Sequence, residues 1–325
     1  MISNDPLNRK WLDVSATNPN LVNEFRPTIV SFLGFDLNRN PQLMGTGFVI
    51  AGDKKYAVIL TAKHVIDGLQ KFQKPTKHAS SAVAGFFIPP KVSLKPQHLK
   101  VVWMGQNAAL MMNVVYVFYS DQLDIACCVV VPQEKEDKFL PFSIPLDCRT
   151  PSVGDAVHMI SCAGMKTSEI TAPSAQNSLG QTLKIERSVN IRIGSVTGIH
   201  NSGYDQYKFP CFTTSIPAEH GMSGGFVYLP DHGKTIAACG VVSSDRDTTH
   251  KLRENMCSEE ESIISCTWPA LGLSVPDSIS PDGVLSKETI YEMIKMGRMP
   301  VYENSVDQFE IIKLAGDDYR VQRKT

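Results

Sequence analysis

The sequence contains no hydrophobic run long enough to cross a membrane and no apolar leader segment after Met1. Its longest apolar stretch, residues 125–131, has the length of a strand, whereas a membrane helix needs about 20 apolar residues. The formal net charge is -1 at pH 7, so neither sign of charge dominates. This balance gives no reason to expect a nucleic acid or an anionic membrane as partner. We therefore expect a cytoplasmic protein that binds neither.

Cysteines with metal-binding spacing are also lacking. The chain has eight cysteines and no C-x-x-C pair, so a structural zinc site is not expected, and we expect no cofactor. In a reducing compartment these residues are expected to be buried free thiols. Disulfides are the alternative if the chain is secreted.

Long amphipathic helices are scarce, and short strand-like segments between turns fill most of the 325 residues. Glycine (22 residues) and proline (20 residues) are spread along the chain, which favours a loop-rich β protein over a helical bundle. Residues 183–193 alternate polar and apolar side chains, as half-exposed antiparallel strands do. The sequence therefore predicts an all-β fold built from barrels rather than from a parallel sheet.

Changes in composition predict four regions along the chain. A short helix is predicted near Trp11 in the polar N-terminal arm, and another is predicted from Ser286 to Gly297. The regions are an arm at 1–27, a first barrel at 28–145, a second barrel at 146–250 and a C-terminal extension at 251–325. The extension is a candidate for binding a regulatory partner, although none of its residues identifies one.

One serine lies between glycines on a tight turn, in the motif Gly-Met-Ser-Gly-Gly at residues 221–225. Glycines there let the backbone take left-handed or crowded conformations and let a substrate carbonyl come close. The Ser223 hydroxyl can then point outward while the backbone N–H groups of Gly221 and Ser223 converge on an oxyanion. The motif predicts Ser223 as a nucleophile and these two N–H groups as an oxyanion hole.

Two motifs upstream supply what a serine nucleophile needs. A serine hydroxyl requires a base, and histidine suits that role because its pKa lies near neutrality. His64 follows a strand-like segment in Thr-Ala-Lys-His-Val, and Asp124 precedes an apolar strand in Leu-Asp-Ile-Ala. An ionised aspartate fixes the histidine tautomer. Each residue alone is ordinary, but the three together, each at a strand end, predict a catalytic triad.

These motifs resemble those of the trypsin-like serine protease superfamily, over about residues 28–250. Gly-Thr-Gly-Phe-Val-Ile at 45–50 is similar to the family's G-S-G-F-V-I strand, and the other three motifs are similar to its T-A-x-H-V/C, D-L/I-A and G-x-S-G-G segments. The resemblance implies two antiparallel six-stranded β-barrels of the chymotrypsin-like kind, followed here by a short C-terminal helical extension. It implies that the triad lies in the cleft between the barrels.

The same resemblance implies a serine endopeptidase that acts on protein or peptide substrates, closer to disulfide-free intracellular and HtrA-type members than to digestive enzymes. His64 would be the base, Asp124 the orienting carboxylate and Ser223 the nucleophile. Val65 stands where digestive members have a cysteine. Met222 replaces the acidic residue that captures a freed N-terminus, and the sequence has no Ile-Val-Gly-Gly start. The likeness therefore gives no basis for activation by N-terminal cleavage.

In this family the residues before the nucleophile and the strand after it line the primary substrate pocket. The matching segments are 216–218 and 241–244, and the predicted substrate-binding residues are Ala218, Val242 and Ser243. Pro217 stands where an acid would select Arg or Lys. We therefore expect a preference for small or medium apolar side chains.

Two other interpretations remain open at the level of sequence. The G-x-S-x-G pattern also fits an α/β-hydrolase esterase, whose triad runs Ser, Asp, His on a parallel sheet. Few helical segments precede Ser223, which argues against it. The second alternative is a non-catalytic protein-binding module on a protease-like fold, and the three intact triad residues argue against that.

Overall fold

The computed structural model describes most of the chain. The described residues are 10–35, 41–68, 99–105, 109–120, 122–133, 141–170, 182–204, 207–230, 235–243, 261–276, 287–314 and 319–324. Ser244, Ser286 and one of the eight cysteines, Cys257, lie outside these ranges.

The N-terminal arm supplies an edge strand and a short helix. Strand β1 (Leu12–Asp13) pairs with a strand of the second barrel, and helix α1 (Pro19–Phe25) follows it. The Asn18 side chain accepts the Leu21 N–H at 3.2 Å, and the proline at the first helical position has no N–H that would need a partner. The arm therefore has its helix at these capping signals, whereas Trp11, where the sequence predicts it, precedes a strand.

Six antiparallel strands close the first barrel, in the order β2-β3-β4-β7-β6-β5. The strands are β2 (Ile29–Phe35), β3 (Pro41–Gly52), β4 (Ala57–Thr61), β5 (Leu99–Met104), β6 (Ala109–Tyr119) and β7 (Ala126–Pro132). β3 and β4 form a hairpin whose turn is held by Asp53, which accepts the Lys55 N–H at 2.6 Å. β4 is buried along its whole length, because it is almost entirely apolar and pairs with β3 on one side and β7 on the other. Helix α2 (Lys63–Asp67) begins directly after it.

The second barrel is also a closed ring of six antiparallel strands, because its first two strands pair with each other and its ring order is β8-β9-β10-β13-β12-β11. The strands are β8 (Ala156–Ile170), β9 (Thr182–His200), β10 (Cys211–Thr214), β11 (Phe226–Tyr228), β12 (Ala238–Val242) and β13 (Ser262–Cys266). The two predicted six-stranded antiparallel barrels are confirmed. Every pairing between the described strands is antiparallel, which contradicts the α/β-hydrolase alternative.

Two details differ from the sequence prediction. The sixth strand of the second barrel, β13, lies beyond residue 250, where the sequence predicts that barrel to end; the polar stretch before it hides the apolar strand that follows. Residues 183–193, predicted as a half-exposed strand, are only part of strand β9, which continues through Gly194 to His200.

Aromatic rings join the two barrels. The Phe226 ring lies 5.2 Å from that of Phe48 and 5.8 Å from that of Phe25, measured between centroids. All three side chains are fully buried, and they belong to one hydrophobic core that extends from the first barrel into the second. A smaller core, with Met159, Phe212 and Met222 among its residues, fills the second barrel. The barrels therefore pack against each other through a shared apolar interface.

The C-terminal extension contacts the segment that leads into the second barrel, where Tyr302 donates its N–H to the Leu146 carbonyl at 2.8 Å. Strands β14 (Ser274–Pro276) and β15 (Lys287–Thr289) pair, as do β16 (Phe309–Lys313) and β17 (Tyr319–Arg323). Helix α3 (Ile290–Lys295) is capped by Thr289, which forms a capping box with Glu292. A capping box needs an acid three residues after the cap, and this spacing selects Thr289 rather than Ser286. Gly297, with φ of 71°, ends the helix as the sequence predicts.

The seven cysteines that the structure describes are all buried and free of disulfides, which confirms the expectation for those residues. Burial raises the pKa of Cys148 and of Cys266 to about 12, with a smaller contribution from Asp147 at Cys148. No helix within the described ranges is both long and apolar enough to cross a membrane.

Candidate active site

His64 and Asp124 meet at one end of the first barrel. β4 and β7 pair in register, with Thr61 opposite Ala126, so the residue that follows one strand lies near the residue that precedes the other. The His64 ring Nδ1 lies 2.8 Å from Asp124 Oδ2, and the His64 backbone N–H donates to Oδ1 at 3.0 Å. Both carboxylate oxygens are therefore engaged by one residue, which fixes the ring orientation.

The environment of this pair is mostly protein. Asp124 is 9% exposed, and the His64 side chain is 29% exposed. Asp124 also accepts the Lys63 N–H on its backbone carbonyl at 3.2 Å. With the proton on Nδ1 facing the carboxylate, the other ring nitrogen, Nε2, is the basic one.

Two consecutive tight turns of the second barrel position Ser223. Ser223 directly follows the turn from Glu219 to Met222, and it is the second residue of the turn from Met222 to Gly225, in which the Gly225 N–H donates to the Met222 carbonyl at 3.0 Å. The Met222 N–H donates to the Glu219 carbonyl at 3.0 Å, and Gly221 between them has φ of 90°. A hydrogen bond across four residues with positive φ at the third is the mark of a type II turn, and glycine tolerates that conformation. Gly224 also has positive φ, at 85°, and donates its N–H to Val242 of β12 at 2.8 Å.

Thr46 of β3 ties this turn to the first barrel. Its N–H donates to the Ser223 carbonyl at 2.7 Å, and its hydroxyl donates to the Gly221 carbonyl at 2.7 Å. Its own carbonyl accepts the hydroxyl of Thr61, the last residue of β4, at 2.6 Å. The turn that carries Ser223 is therefore held against the end of β4, which lies just before His64 in the chain.

The contact between the two barrels is close. A Cβ atom at Gly224 would lie 2.0 Å from the Thr46 carbonyl oxygen and 3.1 Å from the Ala62 nitrogen. Only glycine fits there, since real Cβ atoms do not approach backbone atoms at such distances. Ala62 is two residues before His64, so the Ser223 turn packs beside the histidine-bearing helix.

The predicted pocket residues lie around the same turn. Val242 receives the Gly224 N–H and donates its own N–H to the Gly225 carbonyl at 2.8 Å. Ser243 is buried, and its hydroxyl lies 2.6 Å from that of Ser265. Ala218 is 8% exposed and precedes the turn. Each of the three is therefore either near the turn in the chain or in contact with it. Ser244, the last residue of the predicted pocket segment 241–244, lies outside the described residues.

Met222 is an apolar residue at the position directly before Ser223. Its side chain is fully buried in the core of the second barrel, and its sulfur accepts the Glu219 N–H at 3.3 Å. A neutral, buried residue cannot form an ion pair. Met222 therefore holds Glu219 through neutral hydrogen bonds only, and an ionic contact with the Glu219 carboxylate has to come from another group.

Two residues at the site escape the sequence analysis. Thr46 lies within a motif compared with the family's strand, but its cross-barrel hydrogen bonds leave no local signal. Arg192 occupies a polar position of an alternating strand, where an exposed side chain is expected, yet it is 4% exposed. Its guanidinium donates to the Pro217 carbonyl at 2.9 Å and to Glu219 at 2.6 Å.

The described residues contain no group of three His, Cys, Asp or Glu side chains placed to hold a metal ion.

A sequence model of the trypsin-like peptidase domain matches residues 45–237, which is more than half of the chain. No curated protein sequence matches. Among solved structures, one titled "Structure of GrC" is similar, with 11% identity and a TM-score of 0.40, covering 75% of this chain and 90% of that one. The protease domain of MamO from Magnetospirillum magneticum, in its apo form, is similar with 12% identity and a TM-score of 0.40, covering 74% and 93%.

Proposed function

The chain belongs to the family of trypsin-like peptidase domains, and from this premise we propose that it is a serine endopeptidase with Ser223 as nucleophile, His64 as base and Asp124 as orienting carboxylate. One observation carries the proposal: His64 and Asp124 are hydrogen bonded at 2.8 Å beside the turn that bears Ser223. Proteins or peptides would be the substrates.

The proposed chemistry follows from the roles of the three side chains. His64 takes the proton of the Ser223 hydroxyl as the oxygen attacks the peptide carbonyl carbon. Asp124 stabilises the imidazolium that forms. The same proton passes to the leaving amine, which leaves an acyl-enzyme on Ser223. Water then attacks the ester with His64 again as the base, and the acid product departs.

The N–H groups of Gly221 and Ser223 are the proposed oxyanion hole. Two features support this role: the positive φ of Gly221 and the fixing of its carbonyl by the Thr46 hydroxyl, which together set the orientation of the turn. A preorganised donor of this kind is worth about 3 kcal/mol of barrier. Thr46 would act as a positioning residue, because it touches the turn rather than the substrate.

Ala218, Val242 and Ser243 are the proposed primary pocket. The described part of this region offers apolar and hydroxyl groups, and Pro217 presents only its backbone carbonyl, which is already bonded to Arg192. Small or medium apolar side chains are the expected preference at the cleaved bond.

A fluorophosphonate probe tests the proposal without knowledge of the natural substrate. We expect covalent labelling of the native protein, loss of labelling in Ser223→Ala, and loss of nearly all labelling in His64→Ala, with folding intact in each. Normal labelling of Ser223→Ala would contradict the assignment. A folded native protein that takes no label would favour a non-catalytic binding module.

A further inference from the structure

The buried guanidinium of Arg192 is hydrogen bonded to the residues that precede Ser223. It lies on β9 and is 4% exposed. Its Nη1 donates to the Pro217 carbonyl at 2.9 Å, and its Nη2 donates to Glu219 Oε1 at 2.6 Å. One planar guanidinium therefore holds two points of the same short segment. This fork geometry is available to arginine and not to lysine.

The N-terminal segment covers the other side of this guanidinium. The Trp11 ring lies 4.9 Å from the guanidinium carbon, and Asp13 Oδ2 lies 3.6 Å from Arg192 Nε. β1 pairs directly with β9, Asp13 opposite Arg192. The Ser215 hydroxyl donates to the Lys10 carbonyl at 2.9 Å. The same segment thus touches both Arg192 and the start of the loop that Arg192 holds.

The segment that Arg192 contacts forms the turn directly before Ser223. Glu219 is the first residue of that turn and Met222 is the last, since the Glu219 carbonyl accepts the Met222 N–H. Thr46 fixes the Gly221 carbonyl from the first barrel, so Glu219 is the opposite anchor of the same turn. Met222 is neutral and buried and supplies no ion pair. Arg192 is the cation that meets Glu219 in the described structure.

We propose that Arg192, backed by Trp11 and Asp13 of the N-terminal segment, is a positioning residue that holds the turn from Glu219 to Gly221 in the shape needed for acyl transfer. This inference rests on the proposed function of Ser223. The N-terminal segment, lying on the second barrel as its edge strand, is then part of the catalytic unit. Loosening it lowers the rate of acylation without changing His64 or Asp124.

The experiment compares Arg192→Met with Arg149→Met. Arg149 is a matched control: it also pairs with a carboxylate, Asp147 at 2.8 Å, and lies 4.3 Å from an aromatic ring, that of Tyr302. It contacts the C-terminal extension and has no contact with the turn in the described structure. The Arg192 side chain is 5% exposed and that of Arg149 is 33% exposed, so Arg192→Met is expected to destabilise the fold more, and the stability of each variant is measured beside its activity.

Two readouts are measured on the full chain. Hydrogen exchange of peptides that cover residues 217–225 reports the turn, including the Met222 N–H. We expect this exchange to be about tenfold faster in Arg192→Met and unchanged in Arg149→Met. The rate of fluorophosphonate labelling is expected to fall about 10- to 100-fold in Arg192→Met and to stay normal in Arg149→Met. Thermal unfolding confirms that each variant is folded.

Trp11→Leu and Arg192→Lys complete the set. Trp11→Leu keeps the apolar cover but removes the ring beneath the guanidinium, and Arg192→Lys keeps the charge but loses the fork. Both are expected to give exchange and labelling rates between those of the native protein and Arg192→Met.

The outcomes separate the two proposals. Unchanged exchange of residues 217–225 in Arg192→Met overturns the positioning role, whatever the labelling. Faster exchange with a normal labelling rate also overturns it, because the turn would then loosen without effect on acylation. A native protein that takes no Ser223-dependent label refutes the protease function, while the exchange data still decide whether Arg192 holds the turn.

Discussion

The two halves of the proposed site are held in different ways. On the first-barrel side, His64 and Asp124 flank two strands that pair directly, so one strand register brings them together. On the second-barrel side, Ser223 lies on a turn fixed by groups far away in sequence: Thr46 from the other barrel, Val242 from the next hairpin and Arg192 from β9. One half depends on neighbouring strands, and the other depends on tertiary contacts.

This difference indicates where each half is vulnerable. A change to the histidine side should act through the chemistry of one hydrogen-bonded pair and leave the fold unaffected. A change to the serine side should alter the shape of a turn and often reduce stability as well. The predictions below test this division, beginning with the largest expected effect.

Asp124→Asn should lower the labelling rate by about four powers of ten, because asparagine no longer favours the histidine tautomer with a basic Nε2. Stability should change little, since the side chain keeps its shape. The rate of fluorophosphonate labelling and the thermal midpoint are the measurements. Asp67→Asn is the matched control: Asp67 belongs to the same helix as His64 and pairs with Lys63 at 2.8 Å. An equal loss in both variants would contradict a specific role for Asp124.

Gly224→Ala should reduce both stability and labelling. Positive φ costs a non-glycine residue about 1–2 kcal/mol, and displacing the crowded Thr46 carbonyl adds about 1–3 kcal/mol. Gly154→Ala is the control, because Gly154 has φ of 93° and nothing within 4 Å of an added Cβ. That variant should lose the strain energy only and label normally. Urea unfolding gives the free energies, and equal losses in the two variants would show that the cross-barrel contact is loose.

The sequence predicts the half of the site that depends on neighbouring strands. Apolar strands before His64 and after Asp124 place both residues at strand ends, and the structure brings them to one end of the first barrel. The glycines around Ser223 likewise mark a turn, and the positive φ at Gly221 and Gly224 agrees with this. Both signals are local, because they depend on a few adjacent residues.

The contacts that hold the serine turn could not be predicted in the same way. The partners of Gly221 and Glu219 are Thr46 and Arg192, which are far from them in the chain. Arg192 sits at a polar position of an alternating strand, and it is buried by tertiary neighbours, the N-terminal segment on one side and residues 217–219 on the other. The same limit applies to β13, which closes the second barrel after a long polar stretch. Long-range packing of this kind has no counterpart in local composition.

Thr46→Val should have an intermediate effect. Valine has the shape of threonine but neither donates to the Gly221 carbonyl nor accepts the Cys162 N–H, a bond of 2.9 Å. Leaving such buried groups without a partner costs about 1–3 kcal/mol. The labelling rate should fall about tenfold as the turn relaxes. Thr197→Val is the control, since Thr197 is exposed on the second barrel and its hydroxyl donates to that of Thr213 at 2.8 Å. A cost no larger than that of the control would mean that Thr46 does not hold the turn.

The smallest expected effect is the pH dependence of stability that arises from the buried thiols. It tests whether the two halves of the site differ only in local contacts or also in the stability of their barrels. Burial raises the pKa of the Cys148 and Cys266 thiols to about 12 in the folded protein, against about 8.5 in an unfolded chain. The folded state therefore keeps protons that the unfolded state loses. The resulting stability is fully present below about pH 8.5 and declines as the pH rises toward the folded pKa. At pH 9.5 each thiol should have lowered the free energy of unfolding by about 1.4 kcal/mol relative to pH 7.

Urea unfolding between pH 7 and pH 9.5 measures this loss, and Cys266→Ala should reduce its slope by the share of one thiol. Because the Phe48 and Phe226 rings join the barrels in one core, we expect a single transition that carries the whole pH dependence. Two transitions, only one of them altered by Cys266→Ala, would show that the barrels unfold separately. The expected sensitivity of the serine turn to substitution would then reflect the stability of the second barrel as a whole, and not the contacts of Thr46 and Arg192.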